Sequence, residues 1–380
     1  MNWRSACVFL VAVMEFRIAK IFYGVESAVK EKLKDHREFK NEIPKILYTL
    51  KNCKLMKDYD VTSYLAAGMG GVVFEVSRSG VKYVAKVVLD IDGKYEICNW
   101  ERSVEKITNQ KITYVGALYG YREYKGSYRL KAFYSCILIL EKADINIDKT
   151  VLFPKNDVVS KVENSKKLLR FFGRVALSFA ELHFKARILH GDIKPDNIML
   201  KFKQIAPEDY DLIPVIIDFG LMLANPERKD INHSQLRYAR LYRPPEMTEK
   251  TKIEGVSDVD SWYDQWENYQ FSKEFTEDVY ALGKTIQNVI EFQTDFINKS
   301  QCHITELTAI SKQMTSAKER KDATTNFRAQ RLRPNMKEVL DKFVKSIKSC
   351  SPSGLGALDS EFIERANTSL KVLIANKLMI

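Results

Sequence analysis

Hydrophobic positions change their period partway along the chain. From Val61 to Leu140 they favour the step of two that marks strands, in Val61 to Leu65, Val72 to Val76, Tyr83 to Leu89, Thr113 to Tyr119 and Tyr134 to Leu140. One predicted helix, from about Lys94 to Asn109, interrupts this series. Beyond it the period becomes helical, as in Leu168, Leu169, Phe172, Val175, Ala176, Phe179 and Leu182, and again in Met336, Val339 and Leu340. Before it, Val25, Ala28, Val29 and Leu33 read as part of one or two helices that carry no chemistry. The tail after Ser351 is polar and then helical through Phe362, Ala366, Leu370, Val372 and Leu373. Strands followed by a run of helices indicate an α+β fold.

Composition narrows the class without naming a function. The 380 residues are 45% hydrophobic and 29% charged, enough for a large core and ordinary for a globular chain. The net charge of +11 favours anionic partners, although many lysines sit beside acidic residues and serve to solvate helix faces. They are not interleaved with aromatics on any platform, which argues against nucleic acid as the partner. Cys7, Cys53, Cys98, Cys136, Cys302 and Cys350 are scattered, with no Cys-x-x-Cys pair. That argues against a structural zinc site and a dense disulfide framework and suits a reducing compartment. The apolar run Ala6 to Met14 follows Arg4 but meets Glu15, Phe16 and Arg17 at once, with no small-residue cleavage site. It is too short to span a bilayer, and Met14 can equally serve as a start.

Chemistry concentrates in two segments, His190-Gly191-Asp192-Ile193-Lys194-Pro195-Asp196-Asn197 and Ile216-Ile217-Asp218-Phe219-Gly220. Phosphoryl transfer from a nucleotide needs a group that orients the attacking hydroxyl and groups that hold Mg²⁺ on the phosphates. Asp192 can accept the hydroxyl proton and Lys194 can offset charge on the phosphoryl group. Asn197 and Asp218 offer the hard oxygen ligands that Mg²⁺ prefers. Upstream, Gly68, Gly70 and Gly71 separate two predicted strands, where backbone N–H groups can approach phosphates without a Cβ in the way.

The order of these segments, the step from Asp192 to Asn197 and the apolar strand feeding Asp-Phe-Gly resemble the eukaryotic-type protein kinases. The resemblance covers about Val61 to Val344. It implies a two-lobed fold, with a small antiparallel strand-rich lobe to about Glu141 and a larger helical lobe after it, and ATP with Mg²⁺ in the cleft. The implied organisation is a helical extension over residues 1–57, a kinase domain over 58–345 and a helical tail over 346–380. Leu65, Gly68, Gly70, Gly71 and Val73 match the nucleotide loop, with Ala66 where its first glycine is usual. Val84-Ala85-Lys86 resembles the third-strand signature, so that Lys86 would reach the α- and β-phosphates and Ala85 would pack on the adenine with Val73 and Met199. The glutamate partner of Lys86 would be Glu96, preferred over Glu101 because Trp100 then fills the apolar position one turn on. Glu141 and Ala143 would meet the adenine edge from the hinge. By the same likeness His190 is structural, packed under Phe219, Asp278 anchors the catalytic loop, and Arg333 pairs with Glu246.

Departures from the pattern carry their own implications. Gly191 replaces the arginine that receives an activation-loop phosphate, which points to activity independent of such phosphorylation. The same His-Gly-Asp spelling occurs in the vaccinia-related and casein-kinase-like branch and in aminoglycoside and choline kinases, so a small-molecule kinase stays open beside a protein kinase. Lys194 and Tyr242-Arg243-Pro244-Pro245-Glu246 favour a Ser/Thr protein kinase. Ala239 stands where such kinases carry a threonine, and together with Ala66 it keeps a non-catalytic scaffold in view. Residues 201–213 and 248–275 read as insertions. The expected activity is transfer of the γ-phosphoryl group of ATP to protein Ser/Thr hydroxyls in a cytoplasm, a host's if the source is a virus or an intracellular pathogen.

Overall fold

The computed structural model describes residues 43–68, 71–89, 107, 109–128, 131–147, 152–153, 157–224, 240–245, 275–316 and 333–375. These divide into two compact units, the first drawn from residues up to 89 together with 116–142, the second from 107–115 together with 143–375.

The first unit is a five-stranded antiparallel sheet in the order β1-β2-β3-β5-β4. Its strands are β1 (Asp60–Gly68), β2 (Gly71–Arg78), β3 (Val81–Leu89), β4 (Leu118–Tyr128) and β5 (Lys131–Glu141). The fourth strand is the one the sequence misplaced. Thr113 to Ala117 lie outside the sheet, and the strand instead runs on through the polar stretch to Tyr128. One face carries Val72, Phe74 and Val76 of β2, Ala85 and Val87 of β3, and Ile137 and Ile139 of β5. Helix α1 (Ile43–Asn52) and the short 3₁₀ turn Lys54–Asp58 cover this face, burying Ile46, Leu50, Cys53 and Met56 in the same core. Thr49 and Ser135 hydroxyls meet beneath the helix at 2.8 Å, so the two polar groups buried at this contact satisfy each other.

In the second unit, helix α2 (Val158–Glu181) is capped by Asp157, whose carboxylate accepts the Ser160 N–H at 3.0 Å. Its residues from Leu168 to Glu181 are all buried, so it serves as the central post of the unit. Helix α3 (Thr276–Phe292) packs on α4 (Cys302–Thr315), which packs on this post together with α5 (Met336–Ser349) and α6 (Ala357–Ala375). An Asn335/Glu338 capping box starts α5. A Cβ on Gly173 of α2 would fall 2.8 Å from the Phe362 ring, which shows how closely α6 approaches. The buried face of α6 is Asp359, Phe362, Ile363, Ala366, Ser369 and Leu373, while Val372, expected on it, points outward.

A three-stranded sheet joins β6 (Ile145–Asn146), β8 (Ile198–Ala206) and β9 (Asp209–Ile216). Most of the 201–213 insertion is therefore a regular hairpin rather than an unstructured connection. Two charged residues of α2 are paired inside the unit. Arg170 bonds Asp211 at 2.9 Å and Asp359 at 2.7 Å. Arg174 lies 2.7 Å from Asp211 Oδ2 and donates to the Leu212 carbonyl. Cys302 and Cys350 form a disulfide between α4 and α5, a cross-link that the scattered spacing did not announce. No helix among the described residues is long and apolar enough to cross a membrane.

Candidate active site

Short paired strands bring the two chemistry-bearing segments together in the second unit. After α2 the chain makes one wide turn, Leu182–Ala186, passes through Arg187 in the left-handed region and enters β7 (Ile188–Leu189). That strand pairs with β10 (Leu223–Ala224), Leu189 opposite Leu223. The loop from His190 to Asn197 and the Asp218-Phe219-Gly220 turn are thus the two spans that leave this ladder. They are also tied directly, because the Ile217 N–H donates to the Asn197 carbonyl at 3.1 Å.

The loop backbone is fixed from below by Asp278 near the start of α3. Its carboxylate accepts the N–H groups of His190 at 2.7 Å and Gly191 at 3.1 Å, and contacts His183 Nε2 at 3.0 Å. Gly191 sits at φ 79, a conformation glycine adopts without a Cβ penalty. His190 bonds the Ile217 carbonyl through Nε2 at 3.0 Å, and its ring lies 4.9 Å from that of Phe219. A carbonyl requires a donor, so Nε2 carries the proton and Nδ1 is left to accept the Asp192 N–H. His190 is thereby occupied as a strut, as expected, and not placed as a base.

Asp192 is 7% exposed, and its Oδ2 accepts Lys194 Nζ at 2.7 Å and Asn197 Nδ2 at 2.8 Å. Asn197 Nδ2 also donates to the Asp192 carbonyl at 2.8 Å. Two oxygen acceptors on one side force the amino group there and leave Oδ1 as the atom able to ligate a cation. Asp218 holds the left-handed conformation at φ 61, with Oδ1 accepting the Gly220 N–H at 3.4 Å. An amide oxygen and a carboxylate are the hard donors that Mg²⁺ takes, completing its shell with water and substrate phosphates. No three His, Cys, Asp or Glu side chains cluster as a metal site among the described residues. Asn197 and Asp218 fit that sparse mode of binding. Met199, on β8 between buried Ile198 and Leu200, faces the opposite side of its strand and is half-buried.

Of the residues expected to form the nucleotide loop, Leu65, Gly68, Gly71 and Val73 are described and belong to the first unit. Gly68 pairs with Gly71 at the end of the β1-β2 ladder, and Leu65 is exposed beside the irregularity between Tyr64 and Ala66. Gly71 has φ 121, and a Cβ there would lie 2.4 Å from the Val87 carbonyl oxygen, so no other residue fits. Lys86, 7% exposed, lies opposite Val73 on β2 and Leu138 on β5. Strand alternation therefore puts Lys86, Val73, Val84 and Leu138 on one face. Ala85 is on the other, fully buried in the core under α1. This corrects its assignment to the adenine pocket. Val84 is the residue that shares the Lys86 face, and counting back two from Lys86 finds it.

The Glu141 N–H donates to the Ala117 carbonyl at 2.8 Å. Its side chain accepts the Ala117 N–H at 2.9 Å. The next residue, Lys142, bonds Glu75 at 3.0 Å, and Lys82 does so at 3.1 Å. Burial would raise the Glu75 carboxyl, but these two lysines and Thr62 hold it below the usual range. Ala143, the next residue and the one at which the chain re-enters the second unit, is buried.

Glu96, Gly70, Ala239 and Glu246 lie outside the described residues. Arg333, expected to pair with Glu246, is buried with its guanidinium 4.8 Å from the Tyr280 ring centre. The family model described as "Protein kinase domain" matches residues 59–263, more than half of the chain.

Proposed function

The chain belongs to the protein kinase family, and from that premise we propose that it transfers the γ-phosphoryl group of ATP to serine and threonine hydroxyls of proteins. The observation that carries this reading is the Asp192 carboxylate. It is nearly buried, and one oxygen is held by both Lys194 and Asn197. Such a group is fixed in direction, so it can orient a hydroxyl and take its proton without first reorganising. Lys194 beside it offsets charge on the phosphoryl group. Asn197 and Asp218 would hold Mg²⁺, which when bound neutralises the phosphate oxygens. Lys86, paired with Glu96, would hold the α- and β-phosphates. Leu65, Gly68, Gly70, Gly71, Val73 and Met199 with the backbone at Glu141 and Ala143 would hold the rest of the nucleotide. Ser/Thr preference rests on Lys194, placed two residues after Asp192 as the resemblance requires. Residues 58–345 would form the catalytic domain, with the flanking helices packed on it, and the site of action would be the cytoplasm.

The test is transfer from labelled ATP to generic acidic and basic proteins, with phosphoamino-acid analysis. Asp192→Asn is expected to lower the rate about 10²–10⁴-fold, the range for loss of a positioned acid or base. Lys86→Met should act in the same direction, and label should appear on Ser and Thr. Labelling of aminoglycosides with none of proteins would transfer the reading to a small-molecule kinase. Nucleotide binding without transfer to any acceptor would make the chain a scaffold.

A further inference from the structure

We propose that Glu181, held by the C-terminal helix α6, is a positioning residue for Asp218. The inference rests on the reading of Asp218 as a metal ligand. Glu181 ends α2 with its side chain 2% exposed, and its hydrogen bonds run to Thr113, Lys185 and Ser369. One oxygen accepts both the backbone N–H and the hydroxyl of Thr113, each at 2.8 Å. The other accepts Lys185 Nζ at 2.6 Å and the Ser369 hydroxyl of α6 at 2.5 Å. A buried carboxylate with four donors is fully satisfied, and it makes α2, α6 and the 113–115 segment one rigid joint.

What this joint fixes is the segment at Tyr114. Tyr114 sits at φ 59, in the left-handed region that a bulky side chain adopts only when its surroundings impose it. Glu181 imposes it from one side through Thr113. From the other, Arg365 of α6 lies 5.6 Å from the centre of the Tyr114 ring, with Nη1 3.5 Å from its hydroxyl. The Tyr114 carbonyl, so aimed, accepts the Ile216 N–H at 2.8 Å, and Val115 bridges Ile216 in parallel. Ile216 is two residues before Asp218. Its strand has one ladder to β8 and gains from Tyr114 a second backbone support at the point where it delivers Asp218. The contacts run unbroken from Ser369 and Arg365 through Glu181 and Tyr114 to the base of the Asp218 turn. Asp218 follows two residues on in a left-handed turn, so the backbone support at Ile216 sets where that turn starts.

The test is calorimetric Mg²⁺ affinity at saturating ADP on the full chain, alongside kcat, KM for ATP and thermal midpoint. The variants are Glu181→Gln, Ser369→Ala, Thr113→Val and Thr113→Ser. Loss of Glu181 or of the Thr113 hydroxyl should weaken Mg²⁺ about tenfold, the lower end for groups acting through a ligand's supports. Ser369→Ala should do so less, and Thr113→Ser should retain near-native affinity. Asp359→Asn, which loosens α6 at its far end against Arg170, should lower the thermal midpoint and leave Mg²⁺ affinity unchanged. If all five variants lower the midpoint while Mg²⁺ affinity stays put, Glu181 is a structural joint only and the proposal falls. Asp218→Asn separates the two levels. Unchanged Mg²⁺ affinity in that variant removes the metal reading itself, whereas a loss there with none in Glu181→Gln and Thr113→Val removes only the positioning role.

Discussion

His183 Nε2 lies 3.0 Å from Asp278 Oδ2, and neither side chain reaches solvent. Asp278 uses the same carboxylate to accept the backbone N–H groups of His190 and Gly191, so the histidine joins two backbone donors at the anchor of the loop from His190 to Asn197. Its ring stacks on Phe275 at 4.6 Å, and its Nδ1 has no hydrogen-bond partner among the described residues. Burial lowers the His183 pKa more than Asp278 raises it, and the nearby charge of Arg187 adds to the lowering.

The consequence for stability follows from linkage. Unfolded, the imidazole takes a proton near pH 6.5, while folded it resists one until lower pH. Below about 6.5 the unfolded chain binds more protons, so stability present at neutral pH is lost as pH falls, by up to about 1.4 kcal/mol per pH unit for this site. His303, also lowered mainly by burial, adds to the same trend. Urea midpoints at pH 7.5 and 5.5 should differ clearly for the native chain and less for His183→Gln. The buried Asp211, held below the ordinary carboxylate range, loses its stabilising contribution only as pH falls through about 4 and does not confuse the window.

Asp211 makes a sharper demand on folding. Burial would raise its carboxyl, but contact with Arg174 and the charge of Arg170 outweigh that, and both guanidiniums depend on it in turn. Asp211→Ala leaves the buried Arg174 without its carboxylate and Arg170 with Asp359 alone, and should cost about 3–5 kcal/mol in denaturant unfolding. Lys345→Ala, which breaks an exposed pair with Asp341, should cost less than about 0.5 kcal/mol. Equal costs would mean that the buried network relaxes into water.

Much of this arrangement was legible because its signals are local. The spacing of Asp192, Lys194 and Asn197, the apolar strand before Asp218 and the step of two through β2 and β3 each act within a few residues. The joint at Glu181 was not, since Thr113, Glu181 and Ser369 are far apart in sequence and only packing joins them. The segment Thr113 to Ala117 looked like a strand because Val115 and its neighbours are β-formers, yet Tyr114 turns it out of the sheet. Arg170 and Arg174 stand on the buried side of a helix whose apolar pattern gave no sign of charge beneath it. Cys302 and Cys350 are brought together by the packing of α4 on α5, which no spacing rule encodes.

The displaced role of Ala85 gives a paired test. Ala85 is fully buried among Phe74, Ile137 and Ile139, so Ala85→Val overfills the core under α1. It should destabilise by about 1–3 kcal/mol, seen as a lower thermal midpoint, with KM for ATP unchanged. Val84→Ala removes bulk from the Lys86 face and should raise that KM with little change in midpoint. The reverse pattern would return Ala85 to the nucleotide site.

The Cys302–Cys350 bond closes a loop spanning 48 positions and joins the start of α4 to the end of α5. Closing a loop of that length removes unfolded-state entropy equivalent to about 4 kcal/mol at 25 °C in the chain-entropy account. Cys302 is exposed, so a reductant in solution can reach it. Denaturant unfolding of the native chain should therefore lose about 2–4 kcal/mol on adding dithiothreitol. Cys302→Ser should show the reduced stability from the outset and no further response. Cys53 and Cys136 are free and buried in the other unit, so they should react with a thiol reagent only after unfolding. If dithiothreitol leaves the native chain unchanged and both Cys302 and Cys350 alkylate without it, the two thiols remain reduced in solution, as the scattered cysteines led one to expect.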